Sequence, residues 1–85
     1  MATIPTIHLN GTGRKALLAE YSAAREAVEK AFDALAATTC NGRDFYPQGP
    51  EAYERARYER TEAFAHLEAV SNYLDAVLMG ICDQL

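Results

Sequence analysis

The chain has 85 residues, of which 49% are hydrophobic and 24% charged, and a formal net charge of −4. That balance specifies one small folded domain rather than a disordered tail. Acidity without a basic stripe argues against duplex DNA or RNA as a partner, and no apolar run is long enough to span a bilayer.

The charge is unevenly spread. Residues 1–15 carry only Arg14 and Lys15, whereas residues 51–85 carry five Glu and two Asp against three Arg. The opening MATIPTIHL has no basic region leading into an apolar one, so no signal peptide is read and a cytoplasmic location is expected. The two cysteines, Cys40 and Cys82, do not make a disulfide framework. They are expected to be free and to serve as small packing residues.

Residues 1–11 read as an extended arm. Pro5 disfavours helix, and Ile7–His8–Leu9–Asn10 alternates with period two, a weak strand signal. From residue 12 to 40 the period becomes helical. Leu18, Tyr21, Val28, Phe32 and Leu35 form a stripe, with Arg25 filling its gap. Thr12 is the expected N-cap and Asn41-Gly42 the expected left-handed C-cap. Residues 41–49 then form a loop stiffened by Pro47.

A second helix is expected over 50–83, with Pro50 at its first position. Its stripe is Tyr53, Ala56, Arg60, Ala63, Leu67, Val70, Leu74, Val77 and Ile81, with alternating spacings of three and four. That regularity calls for coiled-coil-like packing. The fold expected is therefore all-α, a single antiparallel two-helix hairpin with a short N-terminal arm. Hairpin geometry also keeps Cys40 and Cys82 too far apart to bridge. The apolar end of the second helix, Val77 to Cys82, overhangs the first and needs a cover. A second copy of the chain is the expected cover, giving a homo-oligomeric helical bundle.

Two polar segments are candidate binding sites. In the first, His8, Asn10, Thr12 and Arg14 surround Gly11 and Gly13 ahead of a helix N-terminus, where backbone N–H groups favour an anion. The spacing is neither that of a P-loop nor that of the dinucleotide fingerprint. In the second, Arg43, Asp44, Phe45 and Tyr46 exceed what a hinge requires. A guanidinium beside aromatic rings can hold phosphate and stack a base. The helical run Tyr53–Arg60 could extend that surface, with Arg57 and Arg60 expected to face a neighbour. No catalytic Ser/His/Asp set or metal-ligand spacing is present in the sequence, so neither an enzyme nor a cofactor is expected.

His8–Leu9–Asn10–Gly11–Thr12 and Arg43–Asp44–Phe45–Tyr46–Pro47–Gln48–Gly49 resemble the HLNGT and RDYYPQG motifs of a group of small phage and prophage helical proteins. The resemblance covers nearly the whole chain, with Phe45 where Tyr is more usual. It implies a counter-defence role, either as a sponge for a nucleotide immune signal held between subunits or as an anti-CRISPR-like inhibitor that contacts a host defence protein. A virion or assembly accessory is the third role it implies. On the sponge reading His8, Asn10, Thr12, Arg14, Arg43, Asp44, Phe45 and Tyr46 would line the site. In a single hairpin the two segments lie at opposite ends, so they join only if a partner chain packs antiparallel.

Overall fold

The computed structural model of the protein describes residues 2–84. Two helices dominate it: α1, Arg14–Ala36 (23 residues), and α2, Ala52–Cys82 (31 residues). Two short 3-10 turns, Gly42–Asp44 and Tyr46–Gln48, lie between them. The described residues include no strand, and no helix among them is long and apolar enough to cross a membrane.

Contacts between the helices run in opposite order along the two sequences. Arg14 reaches Cys82, Arg25 pairs with Asp75, Phe32 stacks on Phe64 with ring centroids 6.1 Å apart, and Thr38 meets Arg60. The stripe positions make this seam. On α1, Leu18, Tyr21, Arg25, Val28, Phe32 and Leu35 are all half-buried. On α2 the alternating series turns inward at every position but one. Val70 is 45% exposed, and Ser71 takes its place at the seam. A straight helix turns once in about 3.6 residues, so a strict 3.5-residue repeat drifts until the adjacent residue faces inward.

Helix boundaries depart from the expected ones for identifiable reasons. Thr12 does not cap α1: the N-cap is Gly13, without a side-chain bond. Nor do Asn41 and Gly42 end it. Its C-cap is Ala37 in right-handed conformation, and Asn41 instead caps the first 3-10 turn by accepting the Arg43 N–H at 3.0 Å. Pro50 precedes α2 by two residues, with Glu51 as N-cap. The positive φ that closes this region belongs to Gly49, at 111°, where a side chain would be strained.

Each helix receives from the other what its own end lacks. Neither α1 nor α2 has a basic residue in its last turn, although the free carbonyls there favour a cation. Arg60 of α2 donates to Ala36 O at 3.3 Å and to Thr38 Oγ1, and lies 5.4 Å above the Phe64 ring. Arg14 of α1 donates to Cys82 O at 3.4 Å. Arg60→Ala should therefore lower stability by about 1 kcal/mol, read as a shift in urea midpoint. Arg60→Lys should recover only part, because an ammonium cannot bond both oxygens and lie flat on the ring.

Residues 2–10 form no strand. They lie against the far end of α2, held by side chains rather than by a ladder. Ile7 N–H donates to Gln84 Oε1 at 2.9 Å, and Gln84 Nε2 donates to Pro5 O at 2.7 Å and Gly80 O at 3.3 Å. Ile4 seats on Gly80 so closely that a Cβ there would come within 2.7 Å of its side chain. Much of the apolar end of α2 is covered by the chain itself and not left for a second copy. Val77 and Ile81 are fully buried within one chain, with α1 on one side and the arm beside them. Met79 and Cys82 remain exposed, so Cys82 is not a packing residue; Cys40 is half-buried and both thiols are free.

Candidate functional site

The first candidate segment is an ordered turn and not a strand end. Gly11 N–H donates to His8 O at 3.2 Å, and the His8 imidazole folds over Gly11, where an added Cβ would lie 2.7 Å from Nε2. His8, Asn10 and Thr12 are exposed, as is Leu9 at 101%. Gly13 opens on free space, and α1 begins there without a side-chain cap. Its first N–H groups are consequently available to an anion. Arg14 is exposed and directs one nitrogen to Cys82 O, so part of its donor set is already engaged.

The second segment is shaped by the paired 3-10 turns. Phe45 N–H donates to Gly42 O at 3.0 Å and Gly49 N–H to Tyr46 O at 3.1 Å. The Tyr46 ring lies over Gly42, whose added Cβ would meet it at 3.2 Å, yet Tyr46 stays 70% exposed. Phe45 turns inward, its ring 6.1 Å from Tyr53. Arg57 covers the same Tyr53 ring at 5.6 Å and pairs with Glu54 at 3.3 Å. Among the described residues the Arg43 guanidinium has neither hydrogen bond nor ion pair, and Asp44 does not pair with it.

The structure brings the candidates together within each segment and not between them. Arg14 is anchored at Cys82 and Phe45 at Tyr53, and that stretch of helix spans roughly 43 Å at 1.5 Å per residue. Arg60 does face a neighbour, but that neighbour is the end of α1. Tyr53 packs against Phe45, a role that nothing in the sequence signals. Its eight-residue distance from Phe45 crosses a helix start, which breaks any periodic signal.

Two open grooves lie elsewhere. One, of about 590 Å³, runs between the arm and α2 past Thr3, Ala69, Asn72, Tyr73 and Ala76. The other, of about 520 Å³, follows the exposed start of α2 along Glu51, Glu54, Arg55, Tyr58 and Glu59. None of the eight candidate residues lines either groove. Among the described residues there is no cluster of His, Cys, Asp and Glu that could hold a metal ion. The neighbouring Tyr73 hydroxyl raises the Tyr21 phenol above its ordinary range. Asp75, with Glu29 beside it, holds the Arg25 guanidinium more firmly protonated than usual.

The chain matches no protein-family model, no curated protein and no solved structure.

Proposed function

We propose that the protein is a phage-type counter-defence sponge: an antiparallel hairpin that assembles with further copies and sequesters a small anionic, nucleotide-like ligand between subunits. The observation that carries this reading is Arg43. Its guanidinium is exposed and unpaired among the described residues, three positions before the 70% exposed Tyr46, on a loop braced by two 3-10 turns. A free, planar, five-donor cation and an exposed aromatic ring on one short loop suit phosphate and base together.

The second half of the site is the start of α1, where uncapped N–H groups, Lys15 and the remaining donors of Arg14 favour a second negative group. His8, Asn10 and Thr12 supply polar contacts on the same turn. The two halves are some 40 Å apart along one chain, so one ligand touches both only when two copies lie head to tail. Asp44 would then select against ligands with charge on the wrong side, and Phe45 would support Tyr46 from below.

Calorimetric titration with a panel of cyclic and ADP-ribose-type nucleotides tests the reading. Binding by at least one member is expected, weakened at least tenfold in Arg43→Ala. No heat from any of them rejects it. The competing reading is contact with a host protein, and the fully exposed Leu9 on its rigid turn favours it. On that reading Leu9→Ser, not Arg43→Ala, removes activity.

A further inference from the structure

Charge divides the outer surface of the helix pair into two unlike flanks. Tyr73 and Asp75 straddle the buried Leu74, and at about 100° per residue they point to opposite sides of the seam. Asp75 meets Arg25 on one side; Tyr73 meets Tyr21 toward the other. Between Leu67 and Cys82 the charged residues of α2 are Glu68 and Asp75, seven apart and so on one side. The charged residues of α1 beyond Tyr21 are Arg25, Glu26, Glu29, Lys30 and Asp33, which turn to that side and the outer edge. The opposite flank, between Glu20 of α1 at one end and Glu62 of α2 at the other, presents Ala24, Ala27 and Ala31 of α1 with Ala69, Val70 and Tyr73 of α2, every one of these six exposed and uncharged.

The chain also exposes too much surface for a body of its mass. Its accessible area is 6406 Å², whereas a compact 9.3 kDa protein exposes about 5,000 Å². Its radius of gyration is 18.6 Å against about 12 Å for a compact chain of this length. Only Ala52, Leu74, Val77 and Ile81 are buried among the described residues. Removing the excess from two copies buries on the order of 2,800 Å², within the range of obligate homodimers.

We propose that the uncharged central stretch of this flank is the interface with a second copy of the chain, packed face to face about a two-fold axis. Two chains of net charge −4 repel wherever their carboxylates meet, and the central stretch of this face carries none. Its alanines allow helix axes to approach to about 8 Å, with Val70 and Tyr73 as the larger side chains that interlock. The pairing supplies the second subunit on which the ligand reading rests, and it needs no ligand itself.

Light scattering on the ligand-free protein at micromolar concentration tests it. Wild type should show twice the 9.3 kDa chain mass. Val70→Arg should halve that mass, and so should Ala27→Glu, a second variant that keeps a good helix former at an exposed position. Glu26→Arg, on the charged side, should leave the mass doubled. Circular dichroism confirms that each variant keeps its helices. A monomeric wild type overturns the proposal, as does a doubled mass in both Val70→Arg and Ala27→Glu. A dimeric wild type that binds no nucleotide overturns the ligand reading alone.

Discussion

Ile81→Ala should remove most of the stability of the folded chain. Ile81 is fully buried, as is Val77, in a core that among the described residues adds only Leu74 and Ala52. Truncating a buried Ile to Ala costs about 2–5 kcal/mol through lost transfer energy and the cavity left behind. A chain of this length has roughly 4–13 kcal/mol in total, and so exposed a structure belongs near the lower end. A nearby rearrangement is also hard, because α1 closes one side of the site and the arm the other. Urea denaturation followed by circular dichroism should show a midpoint displaced by more than half. Met79→Ala, at a 67% exposed position two residues from Ile81, should shift it by less than about 1 kcal/mol. Equal losses at the two positions would mean that the core is not where the structure places it.

Gly80→Ala should detach the arm while leaving both helices formed. Within a helix, alanine is favoured over glycine by about 1 kcal/mol, so the substitution strengthens α2 considered alone. The new methyl, however, would stand 2.7 Å from two atoms of Ile4 and 2.8 Å from a third. Ile4 must leave, and the arm loses its seat on α2. Hydrogen exchange should show Ile7 N–H losing its protection, since its bond to Gln84 depends on the seated arm. Ile4→Ala in the same chain restores room for the methyl. The double variant should therefore be more stable than the sum of the single effects by at least about 1 kcal/mol. Strict additivity would show that Ile4 and Gly80 are not in contact.

The helices were legible in the sequence because their signal is local. The alternating spacing from Tyr53 to Ile81 and the stripe from Leu18 to Leu35 each report a face that turns inward, and both do so. The ends were not legible, for a physical reason. An end stabilised by its own residues advertises itself with a cap or a glycine, but α1 ends on Arg60 and α2 on Arg14, each supplied by the other helix. Thr12 and Asn41-Gly42 carried the right residue types and were used differently. The arm failed for the same reason at longer range. Its alternation matched a strand, yet its partner is the side chain of Gln84, a residue 77 positions away from Ile7.

For the candidate site, composition identified two segments and geometry separated them. Gly11 and Gly42 proved to be seats for the His8 and Tyr46 rings rather than simple flexible joints. No spacing rule conveys that, because the ring that occupies the space lies three or four residues away on a turn whose shape must be known first.

The strap between Ile7 and Gln84 has a kinetic consequence. Closing a loop of 77 residues in an unfolded chain is entropically unfavourable, though the penalty grows only with the logarithm of length. Once the two helices have paired, both ends of that loop already lie at one end of the molecule, and the remaining closure is short. The arm therefore docks after the rate-limiting step and lifts off before it in reverse. Substitutions at Ile4, Gly80 or Gln84 should quicken unfolding and leave the folding rate almost unchanged. The seam and the strap are thus separate controls, one setting how fast the fold is reached and the other how long it lasts.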